Sequence, residues 1–221
     1  MASDGKTYLL RAAAILKTFS NPIIAPVVLG LLFVIPPSSE GPAAFLFFLP
    51  IIIFFVLIPL IYGQYIEIIG NNRQLPYLQI FNMHWFNFFV VSICLAIPVV
   101  ILIILGQIYP FQFLEINFLA VVIDILSIYI LPLVFLLKKR LACIPLGVKC
   151  LFGNFSFSMP LIALAVVPSL LQLFTIEFSE MTLATLPYLV VNYIIWIISL
   201  IIDFVIFIAA GLILKEKLLP S

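Results

Sequence analysis

Residues 120–140 read AVVIDILSIYILPLVFLLKKR, an apolar run that ends on three consecutive basic residues. A helix needs about 20 mostly apolar residues to cross the hydrocarbon core of a bilayer, and this segment has that length. Basic residues at the end of such a run are usually found on the cytoplasmic side. The segment therefore predicts a transmembrane helix whose C-terminal end is cytoplasmic.

The whole chain has the composition of a membrane protein. Of its 221 residues, 66% are hydrophobic and only 9% are charged, and the mean hydropathy is +1.37. A soluble domain carries about 25% charged residues because its surface has to stay hydrated. We therefore expect most of the surface to face lipid. The net charge of +1 gives no sign of the basic surface that a nucleic-acid partner requires.

Similar apolar runs recur along the chain and predict an all-α polytopic fold, a single membrane domain over residues 1–221. Polar loops are expected after the first, third and fifth of these runs, at 36–42, at 107–110 and near Glu177 and Glu180. None of these three loops contains lysine or arginine. Six transmembrane helices are predicted, at 14–35, 43–68, 86–107, 115–137, 156–175 and 184–214.

The basic residues are all on the opposite side of these spans. By the positive-inside rule, this distribution places both termini in the cytoplasm. Adding or removing one span would put basic residues on both sides of the membrane. The segregation therefore also supports a count of six spans. The ten residues are Lys6, Arg11, Lys17, Arg73, Lys138, Lys139, Arg140, Lys149, Lys215 and Lys217.

The spans also show a weak threefold pattern. Val122-Ile123-Asp124 precedes Leu137-Lys138-Lys139 in the fourth span, and Ile201-Ile202-Asp203 precedes Leu214-Lys215 in the sixth. We interpret the chain as three helical hairpins, at 10–75, 76–140 and 141–221. Internal repeats are common in transporter folds. Short amphipathic stretches are expected before the odd-numbered spans, for example at 75–85.

One segment resembles a known family. It reads Tyr62-Gly63-Gln64-Tyr65-Ile66-Glu67-Ile68-Ile69, then Asn71-Asn72-Arg73-Gln74-Leu75-Pro76, and leads into an aromatic-rich helix. It is similar to a multi-pass prokaryotic membrane family catalogued as domain of unknown function 4013. The resemblance implies a multi-pass protein of a prokaryotic cytoplasmic (inner) membrane. It implies no activity, because none is established for that family.

Two aspartates are the ionisable residues predicted deepest in the membrane, Asp124 in the fourth span and Asp203 in the sixth. An intramembrane carboxylate is costly, so it normally faces a cavity or the interior of a helix bundle. Ser127 and Ser199 are separated from these carboxylates by helical spacings. Further polar positions of this candidate site are Asn192 and Tyr193.

Two hypotheses for these aspartates remain open. In the functional hypothesis, Asp124 and Asp203 face each other in a polar cavity that binds a substrate or carries protons. In the structural hypothesis, each is a hydrogen-bonded contact between helices. Prolines inside the spans, such as Pro132 and Pro168, fit either kinked helices around a binding site or plain packing.

A second group of residues is expected at the cytoplasmic interface. Glu67 lies at the cytoplasmic end of the second span, a turn or so from Arg73, and the two are predicted to form an interfacial ion pair. Trp85 is typical of the interface, where its ring is in apolar surroundings while its N–H stays hydrated. The cluster Lys138, Lys139 and Arg140 fits a topology anchor or a site for anionic lipid head groups.

Patterns of known enzymes and metal sites are absent from the sequence. There is no GxSxG, HExxH or P-loop pattern, the three cysteines lack metal-ligand spacing, and His84, the one histidine, lies outside every predicted span. We therefore predict no enzymatic activity, no metal and no cofactor.

Two functions are compatible with these features. The leading one is a non-catalytic subunit of a membrane complex or a transport-associated component, whose partners are membrane lipids and other membrane subunits or copies of itself. The alternative is a secondary transporter in which Asp124 and Asp203 couple transport to protons or ions.

Overall fold

The apolar runs fold as helices. The computed structural model describes residues 5–34, 43–106, 113–179 and 186–218, and it describes side chains over 5–32, 51–105, 118–171 and 189–218. No strand occurs within these ranges, so the all-α prediction is confirmed for them. The helices are α1 (Gly5–Thr18), α2 (Asn21–Val34), α3 (Ala43–Asn71), α4 (Tyr77–Gly106), α5 (Phe113–Leu137), α6 (Cys143–Gly153), α7 (Phe155–Ser179) and α8 (Leu186–Ile213), followed by a π-helical turn at Leu214–Leu218.

Several of these helices are long and apolar enough to cross a membrane. Four qualify alone, over Ile51–Asn71, Tyr77–Leu105, Phe118–Leu137 and Leu189–Leu218. Two bent pairs, α1 with α2 and α6 with α7, qualify when each pair is taken together, which gives four to six candidate spans. The chain therefore has the helices of a multi-pass membrane protein. The predicted loops at 36–42 and 107–110, and Glu180, lie outside the described residues, whereas Glu177 belongs to α7.

A bend of 83° separates α1 from α2. Pro22 has no N–H, and its ring obstructs a helix interior but is tolerated in the first turn of a helix. For this reason α1 ends at Thr18 and a new helix begins at Asn21. The predicted first span, 14–35, is therefore divided, and its first residues belong to a separate helix.

A bend of 105° separates α6 from α7 at Asn154. The Asn154 side-chain amide donates to the carbonyl of Cys150 at 3.1 Å. The Ser158 hydroxyl contacts the carbonyl oxygens of Leu151 and Asn154 at 3.2 and 2.9 Å. These side chains satisfy carbonyls that the end of a helix leaves without a partner. As between α1 and α2, two consecutive helices thus meet at a steep angle.

The predicted amphipathic stretch at 75–85 is different. It forms no separate segment, because α4 runs unbroken from Tyr77 to Gly106. His84, predicted outside the spans, belongs to this continuous helix and to the candidate span Tyr77–Leu105. His84 is within α4 and 1% exposed, and its ring centroid is 5.0 Å from that of Phe135 on α5.

Helix α8 lies inside the described bundle, where it contacts α1, α2, α3, α5 and α7. Its residues Ala209 and Ala210 are fully buried, and small residues allow helices to approach closely. Tyr62 of α3 stacks on Phe207 of α8 with ring centroids 3.9 Å apart. Helix α8, from the third predicted hairpin, therefore packs against helices of the other two. The threefold repeat itself stays a prediction.

Candidate functional site

A cavity of about 410 Å³ lies between α5, α7 and α8, and α3 adds one residue to its wall. Both predicted aspartates line it, Asp124 from α5 and Asp203 from α8. Sites that hold small molecules usually have about 300–1,000 Å³. The fold thus brings two carboxylates that are far apart in the sequence to one cavity of ligand size.

The side chains of Asp124 and Asp203 are both exposed as well as lining the cavity. Neither carboxylate forms a hydrogen bond or an ion pair with a residue in the described part of the chain. The interhelical hydrogen bonds of the structural hypothesis are therefore not formed within that part. Each carboxylate retains its oxygen lone pairs for a ligand.

The two predicted serines also line the cavity, although they do not bond to the carboxylates. The Ser127 hydroxyl donates to the backbone carbonyl of Asp124 at 2.8 Å, and the Ser199 hydroxyl donates to that of Ile195 at 2.9 Å. Such bonds to the preceding helical turn are common for serine. Because each hydroxyl proton is used within its own helix, each serine offers only oxygen lone pairs to the cavity.

Two polar residues of the wall, Tyr62 and Ser169, were not among the predicted site residues. Ser169 follows Pro168, which leaves the carbonyl of Leu164 without its usual helical donor. A serine beside a proline in an apolar span is a sequence signal that could have indicated Ser169. The place of Tyr62 depends on how α3 packs against Phe207, and the sequence contains no such information.

Asn192 and Tyr193 are not among the residues that line the cavity. Asn192 lies three turns before Asp203, or about 16 Å along the helix axis. The Tyr193 hydroxyl donates to the backbone carbonyl of Val27 at 2.9 Å. Tyr193 therefore connects α8 to α2.

The predicted contact between Glu67 and Arg73 is present. The Arg73 Nε lies 3.6 Å from the Glu67 carboxylate, and the Asn71 side-chain amide donates to the same carboxylate at 2.7 Å. At the end of α5, the Arg140 Nε donates to the Asn87 side-chain oxygen at 2.9 Å. The first two interactions lie within the C-terminal end of α3 and the residues that follow it, and the third joins the segment after α5 to α4.

Trp85 differs from the expected interfacial tryptophan. Its ring stacks between those of Phe81 and Phe89, with centroids 5.2 Å away on each side. Its indole N–H is enclosed by protein and has no hydrogen-bond partner in the described residues. Trp85 therefore belongs to an aromatic stack and does not present its N–H to water.

The ionisable residues of the cavity are acidic. Asp124 and Asp203 are its charged residues, and no lysine, arginine or histidine is among the described residues that line it. No group of three metal-ligating side chains occurs in the described chain. Attraction between a carboxylate and a cation is stronger in surroundings of low dielectric constant than in water. The arrangement therefore favours a ligand with positive charge and hydrogen-bond donors.

Comparison with known proteins identifies no relative. No protein-family model, no curated protein and no solved structure matches the chain. The resemblance of residues 62–76 to a prokaryotic membrane family accordingly stays a prediction, and the geometry of the cavity has to support any functional proposal.

Proposed function

We propose that this integral membrane protein binds a small organic or inorganic monovalent cation between Asp124 and Asp203, as a step in its transport. The observation that supports the proposal is that two carboxylates, neither with a partner among the described residues, line one cavity between candidate spans. A carboxylate in the hydrocarbon region is costly unless it is compensated. A cation in contact with both carboxylates supplies that compensation, and the hydroxyl oxygens of Ser127 and Ser199 supply further acceptors.

The six-span topology with both termini in the cytoplasm is part of the proposal. Its support is the segregation of all ten basic residues, together with a count of six when each bent pair is one span. By helix rise, Asp203 is then about 15 Å from the end of α8 and Asp124 about 20 Å from the end of α5. Both carboxylates would lie near mid-depth of a hydrocarbon core about 30 Å thick.

Reporter fusions test this topology in a bacterial cytoplasmic membrane, the kind of membrane that the family resemblance implies. A fluorescent protein fused after Ser221 should fluoresce, because it folds in the cytoplasm. Alkaline phosphatase inserted at 36–42 should be active, because that loop faces outward. Alkaline phosphatase activity after Ser221 would contradict the proposed orientation.

The subunit role has less support from the exposed surface. The outer part of α4 exposes large aliphatic side chains, including Val100, Ile101 and Ile104 at 50–55%. Interfaces between membrane helices are enriched in small residues, which allow close approach. This face of α4 is better suited to lipid than to a partner helix, so we favour solute binding over a purely structural subunit.

Thermal unfolding of the detergent-purified protein tests cation binding. Sodium, potassium or methylammonium chloride replaces N-methylglucamine chloride at constant ionic strength and neutral pH. A ligand present at 100 times its Kd stabilises the native state by about 2.7 kcal/mol. We expect at least one of these cations to raise Tm, and Asp124→Asn and Asp203→Asn to remove that rise.

Glu216→Gln is the matched control, because it removes a carboxylate outside the cavity. It should leave the cation-induced rise in Tm intact. If none of the three cations raises the Tm of the wild-type protein, or if the rise persists in the Asp124→Asn/Asp203→Asn double variant, the proposal is wrong.

A further inference from the structure

A second cavity, of about 450 Å³, lies on the opposite face of α8 from the aspartates. The bend between α1 and α2 forms most of its wall. Apart from Lys17 and Ser20, its lining is apolar. The apolar residues are Ala13 and Leu16 of α1, Ile23, Ile24 and Val27 of α2, and Ile201 and Val205 of α8.

Lys17 gives this apolar cavity a positive rim. Its side chain is exposed and forms no ion pair or hydrogen bond with any residue that the structure describes. Arg11, six residues earlier on α1, is by contrast paired with Glu216. Lys17, an ammonium group with no partner among the described residues, and the apolar cavity beside it are together complementary to an anionic amphiphile.

We infer that this cavity binds an anionic phospholipid, with one acyl chain against Ile201 and Val205 and the phosphate group on Lys17. The inference is independent of the proposed cation site, since the two cavities share no residue.

The surroundings of the cavity support a membrane lipid over a soluble anion. Beside it, Ile24 and Val28 of α2 are 59% and 58% exposed, so the cavity is continuous with an apolar outer surface. A soluble anion would contact Lys17 and leave the apolar walls uncovered. An uncharged lipid would cover the walls and leave the ammonium group of Lys17 without a counter-charge. An anionic phospholipid covers the apolar walls with an acyl chain and also supplies a counter-charge to Lys17.

Native mass spectrometry of the detergent-purified protein tests the inference. The protein is equilibrated with equal amounts of dioleoyl phosphatidylglycerol and dioleoyl phosphatidylcholine, and the ratio of the two retained lipids is measured. We expect the wild-type protein to prefer phosphatidylglycerol. In Lys17→Gln the ratio should fall about fivefold, the size of the attraction of one lysine near an anionic membrane surface.

Lys149→Gln is the matched control, because Lys149 is also exposed and precedes the other bend, but lines neither cavity. It should keep the wild-type ratio. Ala13→Phe places a ring in the cavity and should lower retention of both lipids at that site. Far-ultraviolet circular dichroism of each variant shows whether its helix content is unchanged.

Three results would overturn the inference. The first is a wild-type lipid ratio in Lys17→Gln, and the second is an equal fall in Lys149→Gln. The third is displacement of phosphatidylglycerol by soluble glycerol phosphate, which would show that the head group is recognised without the acyl chain.

Discussion

Arg11 of α1 donates two hydrogen bonds to the carboxylate of Glu216 in the π-helical turn, 3.0 and 2.7 Å long. The Tyr8 hydroxyl donates to the same carboxylate at 3.2 Å. The preceding residue, Lys215, donates from its ammonium group to the backbone carbonyls of Ile69 and Gly70 on α3, at 2.7 and 3.0 Å. The turn that follows α8 therefore holds the first helix and the end of α3 together.

Lys215→Met should lower the free energy of unfolding. The last carbonyls of a helix have no intrahelical donor, and the ammonium group of Lys215 supplies one to α3. Hydrogen bonds of charged groups contribute about 1.5–3 kcal/mol, and we expect a loss at the lower end because the residue is exposed. Unfolding in sodium dodecyl sulfate measures it. Lys217→Met is the control. An equal loss of stability in that variant would show that the positive charge, and not the hydrogen bonds to α3, determines the free energy of unfolding.

The pair Arg11 and Glu216 should have a small, salt-dependent coupling energy. Their side chains are 46% and 36% exposed, so water and salt screen the attraction. Exposed pairs contribute about 0.2–1 kcal/mol, and we expect the upper part of this range because two hydrogen bonds are formed. A double-mutant cycle with Arg11→Gln and Glu216→Gln measures the coupling at low and high salt. A coupling that does not decrease with salt would contradict this account.

Gly147→Ala should destabilise the contact between α6 and α5. A Cβ at position 147 would lie 2.8 Å from the backbone nitrogen and 2.9 Å from the Cα of Ile130, so backbone atoms would have to move. Such overpacking costs about 1–3 kcal/mol. Gly153→Ala is the control, because a Cβ there meets no atom within 4 Å. Gly153→Ala should be neutral or slightly stabilising. A comparable loss of stability in both variants would refute the close approach of α6 to α5 at Gly147.

The sequence was sufficient to predict the features that depend on composition and length. Long apolar runs became helices because a helix satisfies its own backbone groups in lipid. The sequence also indicated that Asp124 and Asp203 belong to one site, because intramembrane carboxylates avoid lipid. In the structure both residues line the same cavity.

Features that depend on packing could not be predicted in this way. The start of α4 was missed because Tyr77–Trp85 is mixed in polarity, yet the helix is continuous and His84 is buried against Phe135. Hydropathy gives no angle between helices, so the bend at Pro22 was absent from the predicted first span. The ring of Tyr62 reaches the cavity wall because α3 packs on α8, a contact between residues far apart in the sequence.

Asp124→Asn and Asp203→Asn should leave the ligand-free protein at least as stable as the wild type. Neither carboxylate has a protein partner among the described residues, so the substitution breaks no hydrogen bond there and replaces a charge by a neutral amide. We expect the free energy of unfolding to stay within about 0.5 kcal/mol of wild type or to rise. Ser158→Ala shows the sensitivity of the assay, since this fully buried hydroxyl bonds to Asn154 and its loss should cost about 1 kcal/mol. If either Asn variant is less stable than Ser158→Ala, its carboxyl group is a structural contact between helices, and the cavity loses the feature on which cation binding depends.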